Sequence, residues 1–329
     1  MSDGPRRVEL GPGAEFDLIR SFLQADTKPC RELHVGPGDD AAVLEGGWVV
    51  STDMSVEGVH FDRAWLTDEE VGYRCAAAAL SDLAAMASMP VAVLVSMAAP
   101  NEGVDVGAVQ AGIRSAASSV GASVIGGDMS RSSGPLVVDV VVLGSTAWPV
   151  LRDGAEPDDE VWVTGLLGGS AAATRIWEAG EEPPDALREA YARPRPCVEE
   201  ARWLVDREWV DALIDLSDGL AGDVGHLASA SGARITLEAD RVPVSGAALE
   251  ALGREGALEA ALHGGEDFEL CFVTDPGIVD PEAFERRFGR PLTRVGTVSE
   301  GEGVWIVAED GSIQRLERGG FDHWGEGAW

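Results

Sequence analysis

Short apolar runs alternate with amphipathic, Ala-rich stretches along the whole chain of 329 residues. The apolar runs are rich in Val and Ile and have the length of strands, whereas the Ala-rich stretches repeat their apolar residues at helical spacing. This alternation is typical of a mixed α/β chain. It predicts helices at 14–26, 67–87, 104–120, 170–180, 197–208, 218–230 and 281–288, and strands at 47–53, 91–98, 123–128, 136–146, 161–165, 211–216, 233–238, 269–274, 293–298 and 304–308.

The composition becomes polar and rich in Pro and Gly near residues 148–159. Such a change is typical of a linker, and a chain of this length is expected to form one large or two ordinary domains. We therefore predict an N-terminal domain at 1–149 and a C-terminal domain at 150–329. A second acidic, Pro-rich segment at 178–185 predicts a surface loop.

The chain is strongly acidic, with 57 Asp and Glu residues against 25 Lys and Arg, and Lys28 is its single lysine. A net charge of −32 repels nucleic acid and anionic lipid, so neither is an expected partner. The excess of carboxylates suggests a high-salt cytoplasm, where salt screens their mutual repulsion. The N-terminus lacks the apolar core of a signal peptide, and no apolar run is long enough to cross a membrane, which also favours the cytoplasm.

The single lysine excludes whole classes of nucleotide-binding site. A Walker A loop requires GxxxxGK[ST], and the protein-kinase pattern requires a strand lysine and an HRD loop; the sequence contains neither. A chain of this kind that binds ATP must neutralise the phosphates in another way, and metal ions held by carboxylates are the obvious substitute. The four cysteines form no CxxC pair, so neither zinc nor a disulfide framework is predicted, and Cys75 and Cys271 are expected to be buried hydrophobes.

Aspartates recur at strand ends and turns, each beside glycine or other small residues. Mg²⁺ prefers oxygen ligands, and beside the phosphates of ATP it usually takes one or two carboxylates for each ion. Aspartates dispersed over several loops therefore suit several Mg²⁺ ions on one triphosphate. The segments are GPGDDAAVL (36–44), STDMSVEGVHF (51–61), ALSDLAAMA (79–87), IGGDMSRSSGP (125–135), IDLSDGLAGD (214–223) and HGGEDFELCF (263–272), which adds Glu266 and Asp267.

Each segment also has an ordinary structural interpretation. Asp39 and Asp40 suit a turn, Thr52 and Asp53 suit a helix cap or an Asx-turn, and the aspartates of IDLSDGL suit a helix cap. Asp82 is harder to explain in this way, because it lies in a predicted helix that is apolar on nearly all sides. A carboxylate buried there is costly unless it is paired or binds a metal. The coincidence of five such segments, not counting HGGEDFELCF, favours the metal interpretation.

Three further features leave two interpretations open. GLLGGSAAA (165–173) opens a predicted helix, and it either binds phosphate at the helix N-terminus or is a plain strand-to-helix turn. Gly127 and Asp128 follow an apolar strand, where backbone N–H groups either bind phosphate or simply form a turn. His60 closes the STD segment, and a lone histidine is either structural or functional.

Together and in this order, the segments resemble those of the thiamine-monophosphate kinase family, in the superfamily that includes aminoimidazole-ribotide synthetase. The resemblance extends over residues 14–325 and includes the terminal GGFDHW. It implies a two-domain α+β fold, in which an N-terminal mixed sheet with helices forms the dimer interface and a C-terminal α+β domain follows. It implies a homodimer that binds ATP between the domains. It also implies that ATP phosphorylates thiamine monophosphate directly to thiamine diphosphate, assisted by several Mg²⁺ ions and with no phospho-enzyme.

The resemblance also implies roles for individual positions. The residues that match magnesium ligands are Asp40, Ser51, Thr52, Asp53, Asp82, Asp128, Asp215 and Asp218, of which Asp53, Asp128 and Asp218 are the candidate catalytic residues. The residues that match ATP-contacting positions are Gly127, Asp128, Arg152 and Ser217, and those that match substrate-contacting positions are His60, Glu266 and Phe321. Because the acceptor phosphate is already a nucleophile, catalysis would depend on positioning and on charge neutralisation by metal ions.

These assignments are chemically sensible. Arg152 provides a cationic fork for phosphate, Phe321 can pack on the cationic thiamine rings, and Glu266 can accept a hydrogen bond from an amino group of the pyrimidine. One position departs from the family, whose members often carry an aromatic residue near Gln110 that lies against adenine. Because a glutamine stacks less strongly, weaker or less selective nucleotide binding is expected.

The nearest alternatives are other members of the superfamily. Selenophosphate synthetase requires a reactive Cys or Sec in a glycine-rich loop, and the TKPCREL segment around Cys30 does not match that loop. The hydrogenase-maturation relative ends in a reactive cysteine, whereas this sequence ends in GEGAW. A protein of a different class, which binds Mg²⁺ or nucleotide without turnover, is disfavoured by the intact motifs in both halves.

Overall fold

The strands form two sheets, which are built from different halves of the chain. The structure, a computed structural model, describes residues 5–9, 11, 14–23 and 30–316. Within these ranges the strands of one sheet all precede residue 146, and those of the other all follow residue 159. The predicted domain boundary therefore lies in the segment between the two sheets. Helix α1 (Ala14–Leu23) precedes the first sheet.

Among the described residues, the first sheet contacts two helices, Asp68–Ala85 and Val106–Ser119, which pack against each other on one side of it. In the described residues it contains six strands in the spatial order β1-β2-β3-β6-β4-β5. Buried side chains alternate with half-buried ones along β6, because successive side chains of a strand point to opposite faces. The side turned away from the helices is named here the open face. The strands are β1 (Leu33–Val35), β2 (Ala42–Leu44), β3 (Trp48–Val56), β4 (Met89–Ala99), β5 (Ser123–Arg131) and β6 (Val137–Ser145).

The second sheet has helices on both sides. Its spatial order among the described residues is β13-β12-β9-β11-β7-β10-β8. The strands are β7 (Glu160–Thr164), β8 (Ala212–Asp215), β9 (Arg234–Glu238), β10 (Leu270–Thr274), β11 (Leu292–Ser299), β12 (Gly303–Val307) and β13 (Ile313–Arg315). The helices of this half are α4 (Gly169–Glu178), α5 (Asp185–Ala192), α6 (Val198–Val205), α7 (Leu220–Ser231), α8 (Gly246–His263) and α9 (Pro281–Phe288).

Alternation along the strands of the second sheet divides its apolar side chains between two cores. Val161 and Val163 of β7 join the core beneath α7 and α8, whereas Trp162 joins the core beneath α6 and α9. Cys271 and Phe272 of β10 are divided in the same way. A strand buried on both faces needs a continuous apolar run, which is the pattern that this half of the sequence shows.

Helix α2 (Asp68–Ala85) is buried on almost all sides, because it lies between the first sheet and the C-terminal half. It packs on β3, β6 and α3 (Val106–Ser119), and it also contacts α5, α6 and β8. A capping box lies at its start: the Thr67 hydroxyl accepts from the Glu70 N–H, and the Glu70 carboxylate accepts from the Thr67 N–H. The all-round apolar pattern of this helix is thus explained by its central position.

We expect Thr67→Ala to lower the free energy of unfolding by about 1 kcal/mol, because it leaves an N–H group at the start of α2 without its acceptor. Thr67→Ser keeps the hydroxyl and is the matched control, with a loss of less than about 0.5 kcal/mol. Denaturation in urea measures both. Equal losses for the two variants would mean that the threonine methyl group, rather than the cap, stabilises the helix.

The predicted helices and strands are all present, with ends that differ by a few residues. Five elements were not predicted. Three of them, β1, β2 and β13, have only 3 residues each. Helix α8 contains Gly253 in a non-helical conformation, and glycines weaken a helical pattern. Helix α4 ends at the first residue of the predicted acidic loop and α5 begins at its last, so residues 179–184 of that loop are not helical.

Cys75 and Cys271 are buried and unpaired, which confirms the prediction made for them. Across the described residues, no helix combines the length and the apolar character that a membrane crossing requires.

Candidate active site

Three of the predicted magnesium ligands meet where the two halves of the chain contact each other. A ligand oxygen from each of Asp40, Asp82 and Asp215 lies within 4.8 Å of the other two. Asp40 lies in the turn between β1 and β2, Asp82 in the last third of α2, and Asp215 at the end of β8. The site therefore depends on packing between the first sheet, the central helix and the second sheet. We name these three residues the carboxylate triad.

The Asp40 and Asp215 side chains are withdrawn from water, and Asp82 is half-buried. The Asp40 side chain is 1% exposed and Asp215 is 3% exposed. Burial, and then the charge of Asp40, raise the pKa of Asp215 to about 7. Burial, followed by the charges of Asp215 and Asp40, raises the pKa of Asp82 well above its usual value. Buried carboxylates that repel one another in this way have the oxygen donors and the charge that suit a hard divalent cation such as Mg²⁺.

Ser51 and Asp53 extend the triad along β3. Both lie on the helix-facing side of the strand, where the Ser51 hydroxyl is 2.6 Å from Asp82 Oδ2 and 3.1 Å from the Asp40 carbonyl oxygen. The Asp53 charge makes a smaller contribution to raising the pKa of Asp82. These two predicted ligands therefore lie next to the triad.

Thr52 and Asp128 lie on the other side of the first sheet. The Thr52 hydroxyl donates to Asp139 Oδ1 at 2.8 Å on the open face. Asp128 pairs across the sheet with Ser96, which in turn pairs with Asp139. Since residues paired across neighbouring strands share a face, Asp128 is also on the open face. The structure therefore does not bring the Thr52 and Asp128 side chains to the triad of the same chain.

Gly127 occupies a position that only glycine can fill. Its φ is +153°, and a Cβ at this position would lie 1.8 Å from the carbonyl oxygen of Val95. This close approach lets β5 pair with β4 through a bulge next to the predicted phosphate-contacting segment. The segment is exposed and forms the edge of the sheet.

Arg152 reaches the triad from the segment between the two sheets. Its guanidinium contacts both oxygens of Asp40, through Nη2 at 2.5 Å and Nε at 3.1 Å. Its backbone N–H donates to Asp39 Oδ2 at 3.1 Å, and the Asp40 N–H donates to Asp39 Oδ1 at 3.0 Å. Asp39 therefore stabilises the turn, while Asp40 belongs to the triad. Burial and the neighbouring Asp40 raise the pKa of Asp39 to about 7.

The two polar loops of the C-terminal half support each other through backbone bonds. The Glu266 N–H donates to the Ser217 carbonyl at 2.8 Å, and the Phe268 N–H donates to the Leu216 carbonyl at 2.9 Å. This pairing places Ser217 and Asp218 beside Asp215, and the charge of Asp218 contributes to the raised pKa of Asp215. Both predicted residues therefore lie at the edge of the triad.

The predicted substrate residues His60 and Glu266 are connected through two residues that the sequence did not single out. The Tyr191 hydroxyl donates to the His60 carbonyl at 3.1 Å, and the Arg74 guanidinium lies 3.7 Å over the Tyr191 ring. Arg74 also forms an ion pair with Glu266. No local pattern could have identified Arg74 or Tyr191, since their partners are distant in sequence.

The backbone N–H groups of the glycine-rich turn before α4 are near a carboxylate of the same chain. Asp267 Oδ2 accepts from the Gly168 N–H at 2.8 Å, at the start of that helix. Burial raises the pKa of Asp267 to about 7, although its bonds to backbone N–H groups oppose the shift. Of the two interpretations left open for this turn, the structure favours the plain strand-to-helix turn, because Asp267 takes the place of a bound phosphate.

Gln110 lies half-buried on α3, and its effect on nucleotide binding stays a prediction. Phe321, the third predicted substrate residue, lies outside the described residues.

Comparison with known proteins identifies the family. Models of the AIR synthase related protein match residues 38–146 for the N-terminal domain and 156–310 for the C-terminal domain. The thiamine-monophosphate kinase of Rhodopirellula baltica is 35% identical over 321 residues, which cover 92% of this chain and 95% of that protein. The chain belongs to the thiamine-monophosphate kinase family. The family member from Methanopyrus kandleri is 36% identical over 314 residues, which cover 93% of this chain and 97% of that protein.

Solved structures show the same fold. AaThiL complexed with AMPPCP and TMP is 30% identical, with a TM-score of 0.80 and coverage of 95% of this chain and 97% of that one. The resemblance stated from the motifs and the two-domain α+β fold are thereby confirmed. A hydrogenase maturation protein, HypE, in complex with ATP is 18% identical with a TM-score of 0.68, so that it shares the fold alone.

Proposed function

We propose that this member of the kinase family transfers the γ-phosphoryl group of ATP to thiamine monophosphate, giving thiamine diphosphate and ADP. The observation that carries the proposal is the carboxylate triad, buried between the two halves of the chain. Relatives that match nearly the full length are thiamine-monophosphate kinases, and one of them, AaThiL, was solved with TMP and the ATP analogue AMPPCP. We also propose the cytoplasm as its location, since ATP is plentiful there.

The triad, with Ser51, Asp53 and Asp218 around it, would hold Mg²⁺ ions. When bound, such ions would neutralise the charge of the phosphate oxygens. The residues of the chain would supply the rest of the electrostatic setting. The Arg152 guanidinium, now on Asp40, presents a planar fork that suits phosphate oxygens. The low exposure of Asp40 and Asp215 strengthens the interactions near them, because the surroundings there are poorly polarisable.

The chemical step needs little from a protein base. An oxygen of the acceptor phosphate would attack the γ-phosphorus while the bond to the β–γ bridging oxygen breaks, and that electron pair would leave with ADP. A phosphate monoester is largely ionised at neutral pH, so no side chain has to remove a proton first. Positioning of the two substrates would then contribute most of the rate enhancement, with His60 and Glu266 holding the organic part of the acceptor.

We further propose a homodimer in which each site is completed by the partner. Asp53 on β3 and Gly127 on β5 lie in one cross-strand row, separated by β6 and β4. Three strand spacings place their Cα atoms about 14 Å apart. Two aspartates that share one Mg²⁺ have Cα atoms within about 11 Å, since Mg–O distances are about 2.1 Å. The Gly127–Asp128 segment of one chain is therefore better placed to serve the triad of another chain.

The open face supports this proposal. It carries exposed apolar side chains, among them Met54, which is 56% exposed, and the edge strand β5 adds Ile125 at 62% and Met129 at 56%. A sheet face and edge of this kind are a liability for a monomer, and pairing with a second copy would cover them.

The test of the proposed function is turnover with ATP, Mg²⁺ and thiamine monophosphate, with chromatographic identification of the product. Thiamine diphosphate formed in step with ADP is the expected result. ADP release without thiamine diphosphate would move the proposal to another phosphate acceptor. Nucleotide-dependent Mg²⁺ binding without any ADP release would favour a binding protein instead of an enzyme.

We expect activity and thermal stability to rise between low and molar KCl, because the net charge of −32 destabilises the compact chain in dilute buffer. The matched control is an osmolyte such as sucrose, which strengthens burial without screening charge. Activity that is highest in dilute buffer and falls steadily with KCl would contradict the high-salt interpretation.

A further inference from the structure

Arg74 is a buried cation that joins the two halves of the chain outside the carboxylate triad. It belongs to α2 and is 3% exposed. Its Nη1 donates to the Tyr191 carbonyl at 2.5 Å, its guanidinium lies 3.7 Å over the Tyr191 ring, and its Nη2 forms the ion pair with Glu266 Oε1. Because a buried arginine is costly unless it is paired, these contacts fix its position closely.

Glu266 is held at both ends. Its backbone has a φ of +60°, a left-handed conformation that side-chain-bearing residues rarely adopt, and its N–H donates to the Ser217 carbonyl. Arg74 pairs with Oε1 of the Glu266 carboxylate, while 32% of the Glu266 side chain is exposed. The second oxygen can therefore accept a hydrogen bond from a ligand in an orientation that Arg74 determines.

The contacts of Arg74 also extend to His60, the other residue predicted to bind the acceptor substrate. Tyr191 is 2% exposed, and its hydroxyl donates to the His60 carbonyl. The order of contacts from one side to the other is His60, Tyr191, Arg74 and Glu266. A displacement of the guanidinium would thus disturb both residues that are expected to hold the organic part of the acceptor.

Arg74 and its contacts lie apart from the carboxylate triad. Arg74 and Asp82 both belong to α2 and are eight residues apart, which corresponds to about 12 Å along the helix axis. The contacts of Arg74 in the C-terminal half are with α5 and with the loop before β10, whereas Asp82 contacts β3. A change at Arg74 can therefore affect acceptor binding while the nucleotide-binding region keeps its structure.

We propose that Arg74 is a positioning residue for the acceptor, which orients the Glu266 carboxylate toward the organic part of the substrate. The proposal rests on the proposed function, since Glu266 is taken as the substrate-contacting residue. It adds a residue that acts through Glu266 rather than on the reacting phosphates.

The test compares Arg74→Met with Arg188→Met as a matched control. Arg188 also joins the C-terminal half to α2, through a bidentate pair with Glu70 at 2.7 and 2.8 Å, but it does not contact Glu266. We expect Arg74→Met to raise the KM for thiamine monophosphate by about 10-fold to 100-fold, the range for loss of one charged hydrogen bond. The KM for ATP is expected to change less than about twofold, and kcat less than about threefold. Arg188→Met is expected to lower the Tm and leave both KM values unchanged.

A double variant separates positioning from general damage. If Arg74 acts through Glu266, then adding Arg74→Met to Glu266→Gln will raise the KM for thiamine monophosphate no further. Arg74→Lys, which keeps the charge in a smaller group, provides a second variant if Arg74→Met does not fold, and the same specific rise in KM is expected for it. Equal increases in both KM values, or independent effects of the two substitutions, would overturn the proposal. A wild-type protein that neither binds nor converts thiamine monophosphate would overturn the proposed function and this inference with it.

Discussion

A heterodimer of one Asp53→Asn chain and one Asp128→Asn chain will have about half of the wild-type activity, although each variant alone is inactive. Asp53→Asn and Asp128→Asn are each expected to retain less than about 1% of wild-type kcat as homodimers, because each loses a carboxylate needed to neutralise the phosphates. When the two chains are co-expressed with different tags and purified as a heterodimer, one of the two sites combines an intact Asp53 with the partner's intact Asp128. By two-fold symmetry the other site carries both substitutions, so one of the two sites is active.

The control is a heterodimer of Asp53→Asn with Asp82→Asn. Ser51 on β3 contacts Asp82 on α2 within one chain, so Asp53 and Asp82 serve the same site. Neither site of this heterodimer has both carboxylates, and it is expected to be inactive. Absence of activity in the Asp53/Asp128 heterodimer as well would show that each chain forms its site alone. A monomer in solution would contradict the dimer directly.

Asp82→Asn will lower kcat by at least about 100-fold and at the same time stabilise the metal-free protein. The loss of activity follows from the loss of one oxygen ligand with its charge. The gain in stability follows because the triad consists of buried, mutually repelling carboxylates, and a neutral amide of the same shape removes part of that repulsion. We expect a gain of about 1 kcal/mol or more. Thermal unfolding without and with Mg²⁺ and AMPPCP measures it.

The sign of the stability change should reverse when Mg²⁺ and nucleotide are added, since ligands stabilise the wild type more than the variant. Asp159→Asn is the matched control. Asp159 is also buried, at 5% exposed, but it accepts from the Glu156 N–H and lies outside the triad. Its substitution is expected to leave kcat unchanged. A Tm of the metal-free Asp82→Asn protein below that of the wild type would mean that Asp82 stabilises the fold through its bond from Ser51.

Local sequence patterns predict those features of the structure that depend on residues close together in the chain. Asp82 is identified because a carboxylate in an apolar helix needs a cation or a metal ion, and the structure places it beside Asp40 and Asp215, two further predicted metal ligands. The capping box at Thr67 is a local feature of the same kind, since the spacing of Thr67 and Glu70 specifies it. The family resemblance, which depends on the order of several motifs, predicts the two-domain α+β fold, which periodicity alone does not contain.

The remaining features depend on geometry that a motif does not encode. The STD segment predicts three neighbouring ligands, but alternation along β3 turns Ser51 and Asp53 to one side and the Thr52 side chain to the other. The role of Thr52 as a ligand, like the other individual assignments, stays a prediction. No local sequence pattern identifies Arg74, because its proposed role depends on contacts with Tyr191 and Glu266, which are more than 100 residues away in the chain.

The central position of α2 has a consequence for synthesis of the chain on the ribosome. The helix belongs to the first half, yet its last turns pack against α6 and β8, which are made more than 100 residues later. A nascent first half would therefore hold an apolar helix with one side uncovered until those partners emerge, which exposes it to aggregation or to chaperones. The two halves can be divided by sequence, but they complete their folding together.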